Sequence, residues 1–217
     1  MPTTTRSQTL DRGIRLLEIL AAAPRPMTMS ELVQESGLHR SIVYRLIRTL
    51  EDHRLVARSA AETYRLGFGL AALAGGLTQD LTSAARRPLQ ELADATDLAA
   101  FIVVREAEEA VTVLVVEPSI PGPMFTLRIG YRHAVTQGAP GRALLMLDGD
   151  GQVDADQRQR GWTHSLGEVL DGVGSVAAPL RGYVHPAAVA LTYVGDHDVE
   201  HLSRHVLGAR DRIAAAL

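Results

Sequence analysis

Apolar residues in the first third of the chain recur with helix periods, and farther on helix and strand periods alternate. Leu10, Ile14, Leu17 and Ala21 are three or four apart and predict a helix over residues 10–22, closed by Ala23-Pro24-Arg25-Pro26, where neither proline continues it. The chain is organised around residues 28–54. Thr28-Met29-Ser30-Glu31 fits a capping box, Met29, Leu32 and Val33 give a short helix one buried face, and Ser36-Gly37 stops it. A second helix starts near Arg40, with Val43, Leu46, Ile47 and Leu50 as its apolar stripe. Residues 55–58 and 63–66 are short strand-like runs that predict a hairpin around residues 59–62.

Residues 67–81 are apolar, rich in small residues and broken by glycines, which predicts a linker with a helical centre. Its Leu and Ala residues suit packing against another subunit, and a buried intrachain helix fits equally well. An amphipathic helix over residues 86–96 turns Leu89, Leu92 and Ala93 inward. The period then changes. Residues 99–104 and 111–116 are β-rich runs separated by an acidic turn, Pro118, Pro121 and Pro123 stiffen a loop, and residues 124–129 resume as a strand. Residues 137–147 predict a loop entering a helix, with Pro140 in its first turn. Residues 148–159 are polar and predict a surface loop. Strands at 176–180 and 187–194 and a helix at 196–217 close an α+β domain, its helices beside a largely antiparallel sheet. No internal repeat is present.

Composition narrows the function classes. A chain of 217 residues suffices for one large domain or two small ones. No apolar run is long enough to span a membrane, and MPTTTRSQTL lacks the order of a secretory leader, so a cytoplasmic protein is expected. There is no Cys, hence no disulfide, thiol nucleophile or Cys-ligated zinc. There is no Lys, hence no Schiff base. No GxSxG elbow occurs, and Ser, His and Asp stand in no triad order, so no enzyme and no cofactor is expected. Charge is asymmetric: residues 1–70 hold ten Arg against seven acidic residues, a balance of +3, and the remainder carries −6. That is the distribution expected when one end meets nucleic acid.

The second helix of the central stretch carries Arg40, Ser41, Tyr44, Arg45 and Arg48 opposite its apolar stripe, with no carboxylate among them. Two helices, a glycine turn and a basic outer face form the helix-turn-helix pattern. Its second helix would lie in a major groove, where Arg pairs bidentately with guanine. A solvated basic face on a helical hairpin is the other reading. The hairpin after it would be a wing, with Arg58 and Arg65 on phosphates or simply in solvent. In the C-terminal part, Gly138-Ala139-Pro140-Gly141 opens a helix whose first N–H groups and dipole suit a carboxylate. Arg128, Arg132 and His133 could add positive potential there, or be solvated strand-end residues. His197, His201 and His205 share one helix face, a spacing that can bind a divalent metal but that also describes an exposed face; no metal site is expected.

Over nearly its full length the chain resembles the IclR family of bacterial transcription regulators. In the first half the resemblance is carried by Leu10-Asp11-Arg12, Glu31-Leu32, Ser36-Gly37-Leu38, Arg40-Ser41, Arg45-Leu46, Thr49-Leu50 and Tyr64-Arg65-Leu66-Gly67. In the second it is carried by Gly141-Arg142-Ala143-Leu144-Leu145, Gly161, Ser165, Glu168, Ser175-Val176-Ala177-Ala178-Pro179-Leu180 and Gly195. Each motif is weak alone; their order and spacing carry the assignment.

The resemblance implies a winged helix-turn-helix over residues 1–67, a linker helix over 68–81, and a GAF/PAS-like α+β effector-binding and oligomerisation domain over 82–217. It also implies a dimer or tetramer acting on double-stranded operator DNA, as a repressor rather than an activator, with a small organic acid as effector. A regulator of the same fold with no small-molecule effector is the alternative. Matched to the family, the backbone at Ala139-Pro140 holds the effector, Ser165, Ser175 and Thr192 supply polar contacts, Val194 stands beside them, and Phe125 and Val173 line the apolar wall. Three positions depart from the family pattern: Arg54 stands where Gly usually precedes the wing, Arg181-Gly182 replaces an aromatic-Asp ending, and residues 148–160 are fewer than usual.

Overall fold

Short-range signals build the first of two units, Met1–Leu77 and Thr78–Leu217. The computed structural model describes residues 7–75, 79–120, 122, 125, 127–148 and 153–217. In the first unit, α1 (Gln8–Ala22) starts on Ser7, whose hydroxyl accepts the Leu10 N–H. β1 (Met27–Thr28) leads into α2 (Met29–Ser36), and α3 (Arg40–Asp52) follows a turn at Gly37, held at φ 65°. β2 (Val56–Arg58) and β3 (Thr63–Leu66) form the hairpin, and β1 pairs with β3 on its other side, giving an antiparallel sheet of order β1-β3-β2.

Leu16, Leu20, Leu32, Val43, Ile47 and Tyr64 form this unit's core. The stripe expected on the first helix is not its buried face: Leu10 and Ile14 are 63% and 48% exposed, while Gly13, Leu16 and Leu20 face inward. The two stripes lie about 100° apart, one residue's rotation, so periodicity admitted both, and packing against α2 and α3 selected the second. The predicted linker holds α4 (Gly69–Ala74), none of whose residues is buried. Residues 76–78 of that linker lie outside the described residues. Gln79 and Leu81, also assigned to it, belong to α5 (Gln79–Thr96) of the second unit, and Leu81 sits in that unit's core.

The second unit is a six-stranded antiparallel sheet of order β6-β5-β4-β9-β8-β7. Its strands are β4 (Ala100–Glu106), β5 (Glu109–Val116), β6 (Arg132–Ala134), β7 (Thr163–Leu166), β8 (Val173–Leu180) and β9 (Ala187–Val194). Alternation along β9 divides the core. Val189 and Leu191 face α5 and α8 (Val199–Ala216), whereas Ala188 and Ala190 face α6 (Gly138–Leu145). Alanines on that side let α6 approach the sheet closely.

Four elements went unpredicted, the two-residue β1 of the first unit and three in the second. β6 and β7 are short and polar, and their patterns are masked by Arg132-His133 and Thr163-His164-Ser165. The stretch expected to be loop holds α7 (Ala155–Arg160), capped by Asp154 and ended by Gly161 at φ 77°. Residues 149–152 of that stretch, and Met124 and Thr126 of the strand expected over 124–129, lie outside the described residues. Phe125, Leu127, Arg128 and Ile129 are described and are not in a strand. Among the described residues, no helix is long and apolar enough to cross a membrane.

Candidate nucleic-acid interface and ligand pocket

Local chemistry positions α3. The Thr28 hydroxyl accepts the Glu31 N–H at 3.3 Å, and Glu31 Oε2 accepts the Thr28 N–H at 2.7 Å, so α2 begins on a closed capping box. Arg25 reaches the other Glu31 oxygen at 2.6 Å. The Arg25 guanidinium, then the Thr28 donors, hold the Glu31 carboxyl down at about 2. Past Gly37, the Nδ1 of His39 accepts the Ser41 N–H at 3.4 Å, an N-cap that no sequence signal announced.

With Val43 and Ile47 buried, α3 turns Arg40, Ser41, Tyr44, Arg45 and Arg48 outward, all exposed. Arg48 Nη1 donates to the Tyr44 hydroxyl at 3.5 Å, and the Ser41 hydroxyl lies 2.9 Å from His39 Nδ1. Among the described residues, Arg40, Arg45 and Arg48 make no ion pair, so a basic face is left for an anionic partner. On the wing, Arg58 bonds Glu62 at 2.6 Å and its guanidinium lies 5.8 Å from the Tyr64 ring centre. Glu62 reaches it because it sits in a left-handed turn, φ 58°. Arg65 is exposed.

In the second unit, Phe125, Pro140, Ser165, Val173, Ser175 and Thr192 line one cavity of about 30 Å³. Phe101 contributes from β4, Tyr131 from the approach to β6, His133 from β6 itself, and Val169 and Leu170 from the β7–β8 loop. Burial lowers the pKa of His133, favouring its neutral form. Thr192 Oγ1 donates to the Phe125 carbonyl at 3.3 Å. Val194 is exposed at the strand end and away from the lining. Gly138, Ala139 and Gly141 do not line the cavity; they seat α6. Gly138 is left-handed, φ 73°, and a Cβ there would stand 2.8 Å from Val169 Cγ2. A Cβ on Gly141 would collide with the Val135 backbone.

The expectation that the first N–H groups of α6 are unpaired is also corrected. Gln137 gives no side-chain cap, but Glu168 Oε2 accepts the Gly138 N–H at 3.0 Å and Ser165 Oγ the Ala139 N–H at 2.8 Å. Pro140 has no N–H. The same Glu168 oxygen lies 2.5 Å from Arg142 Nη1, while Arg142 Nη2 donates to the His164 carbonyl and its buried Nε makes no hydrogen bond among the described residues. Arg142, then the Gly138 N–H, hold the Glu168 carboxyl below its ordinary range. Neither Glu168 nor Arg142 was named as a site residue from sequence; both lay within matched motifs.

Arg132 adds no free charge, being paired with Glu106 at 2.7 Å and Glu109 at 3.0 Å, and Arg128 is exposed. On α8 the Nε2 atoms of His201 and His205 are 3.2 Å apart, while the His197 ring lies against Tyr193. Among the described residues no group of three or more His, Asp or Glu gathers as a metal set.

Comparison with known proteins places this geometry among relatives. Residues 9–60 match the IclR helix-turn-helix domain. The chain is similar to the HTH-type transcriptional regulator KipR of Bacillus subtilis, 23% identical over 88% of this chain and 86% of that one. It is likewise similar to the glycerol operon regulatory protein of Streptomyces griseus, 26% identical over 87% and 84%. Its fold is similar to that of an IclR homologue from Microbacterium hydrocarbonoxydans solved with 4-hydroxybenzoate. The TM-score is 0.83 at 19% identity, over 96% of this chain and 98% of that one.

Proposed function

Because the chain belongs, by its helix-turn-helix domain and its fold, to the IclR family of transcriptional regulators, we propose that it is a repressor that binds operator DNA through α3 and is controlled by a small organic acid in the C-terminal cavity. The observation that carries the DNA half is the outward face of α3, with three arginines that make no ion pair among the described residues, beside Ser41 and Tyr44. Arg45 and Arg48 would read base edges, Arg40, Ser41 and Tyr44 would hold phosphates or bases, and Arg58 would reach the backbone from the wing. One such face reads one half-site, so the protein would act in the cytoplasm as a homodimer or homotetramer on double-stranded DNA. The linker that holds α4 would join the DNA-binding part, residues 1–67, to the effector and oligomerisation part, which α5 opens. No cofactor or catalytic role is proposed.

The acid reading rests on the cavity's aromatic and hydroxyl lining beside the start of α6, and on 4-hydroxybenzoate in the Microbacterium relative. One observation favours the second reading, a regulator without an effector: about 30 Å³ holds little more than a water molecule. The test is fluorescence anisotropy on DNA flanking the protein's own gene, at two salt concentrations, repeated with a panel of aromatic and aliphatic carboxylates. Site-specific binding that one acid shifts several-fold supports the first reading. Specific binding that no acid moves supports the second, and no specific binding removes both for that DNA.

A further inference from the structure

We propose that the cavity of the second unit recognises a hydroxyl group of the effector and not its carboxylate, and that His133 is the residue that selects it, an assignment that rests on the effector reading above. A hydroxy acid meets both, with its hydroxyl in the cavity and its carboxylate outside the lining.

His133 offers an acceptor. Its ring lines the cavity, and Nδ1 lies 3.0 Å from the Ala134 carbonyl oxygen. A carbonyl only accepts, so Nδ1 carries a proton. Burial outweighs the pull of the Ala134 and Gln137 carbonyls and favours the neutral ring, which has one proton to place. Nε2 is therefore left with a lone pair, and it makes no hydrogen bond among the described residues. Such an atom takes a donor. An ionised carboxylate only accepts, so it would set one lone pair against another.

The rest of the lining agrees. Ser165, Ser175 and Thr192 stand in one row across β7, β8 and β9, paired in register, and all three line the cavity. The ends of the row are engaged: Ser165 Oγ accepts the Ala139 N–H at 2.8 Å, and Thr192 Oγ1 donates to the Phe125 carbonyl at 3.3 Å. Between them, the half-buried Ser175 hydroxyl makes no hydrogen bond among the described residues and is free to donate. A ligand hydroxyl both donates and accepts, so it can satisfy His133 Nε2 and a serine hydroxyl together. Among the described residues no Arg, Asp or Glu lines the cavity. A carboxylate placed there would be buried without a counter-charge, at a cost that a hydroxyl does not incur. Size points the same way, because about 30 Å³ is water-sized room, enough for a hydroxyl and too little for a whole aromatic acid.

The experiment measures thermal stability of the full chain in phenol, benzoate and 4-hydroxybenzoate, which share one ring and carry the hydroxyl, the carboxylate or both. The expected result is a saturable rise in Tm with phenol and with 4-hydroxybenzoate at concentrations about tenfold below those at which benzoate acts, the effect of one satisfied hydrogen bond. In His133→Phe, which keeps a ring but removes the lone pair, the three compounds should act at similar concentrations. Benzoate acting at or below the concentration of phenol, no response to phenol and 4-hydroxybenzoate, or a hydroxyl preference unchanged in His133→Phe overturns the assignment. If His133→Phe does not fold, His133→Gln, in which an amide replaces the ring, weakens the preference or overturns it. Operator binding separates this from the effector reading. Acids that release DNA equally well with and without a hydroxyl would keep the effector and remove the role of His133. A hydroxyl-dependent rise in Tm with no release of DNA by any acid would keep the hydroxyl site and remove the effector.

Discussion

Arg58 and Glu62 close the tip of the wing, with Nη2 of the arginine 2.6 Å from the carboxylate and the guanidinium 5.8 Å from the Tyr64 ring centre. A wing arginine aimed at phosphate must first give up this pair. Both side chains are largely exposed, so the pair is worth at most about 1 kcal/mol, or roughly fivefold in affinity. Glu62→Ala is therefore expected to tighten binding to any DNA by up to about fivefold and to steepen the salt dependence by about one phosphate contact, while Arg58→Ala flattens it. Titrations from low to high salt on specific and scrambled duplexes check this. A change confined to the specific duplex would place Arg58 on bases.

Arg45 is expected to behave differently. It is exposed on α3 opposite the buried Val43 and Ile47, at a height where a groove-reading helix meets base edges. Arg45→Ala should cost about 1–3 kcal/mol on the specific duplex and far less on a scrambled one. If both duplexes weaken together, the face touches only phosphate.

How far the sequence could be read followed the distance over which each signal acts. Thr28, Glu31 and Gly37 were legible because caps and left-handed stops are decided within four residues. The buried face of α1 was not, since Leu10-Ile14 and Leu16-Leu20 are both apolar and only the partners of α1 choose between them. β6 and β7 escaped because strands of three or four residues with Arg, His and Ser in them show no clear alternation. The structure gathers Phe125, Pro140, Ser165, Val173, Ser175 and Thr192 around one cavity, as the family pattern implies. What was illegible was the pairing beside it. Glu168 stands 30 residues from Gly138 and 26 from Arg142, and only the sheet's register, with Ser165 opposite Ser175 on β8, brings the β7–β8 loop over α6.

Glu31 makes the stability of the first unit depend on pH. Its carboxyl is held near 2, against an ordinary 4.5, first by Arg25 and then by Thr28. A lowered folded-state pKa means that the contribution is complete above about 4.5 and is lost as pH falls toward 2. Glu31→Gln can still bond the Thr28 N–H but loses the charge facing Arg25. It should lower Tm by a constant amount above pH 5, and that deficit should shrink and vanish toward pH 2. A deficit that persists unchanged at low pH would mean that geometry, not charge, is what Glu31 provides.

Arg54 holds φ 59° between α3 and β2, where the family pattern has glycine, and its carbonyl accepts the Gly69 N–H at 2.9 Å. Cβ atoms on Gly67 or Gly69 would run into that carbonyl, so the left-handed turn cannot relax by shifting its neighbours. A left-handed L-residue costs about 1–2 kcal/mol through its Cβ, whereas glycine adds about 0.5–1 kcal/mol of unfolded-chain entropy. The first effect is the larger. Arg54→Gly should therefore raise stability by about 0.5–1 kcal/mol, seen as a higher urea midpoint at unchanged slope. Gly67→Ala should lower the midpoint sharply, because its collision is with backbone. A midpoint that falls in Arg54→Gly would mean that the arginine side chain contributes more to the folded state than its strained backbone takes away.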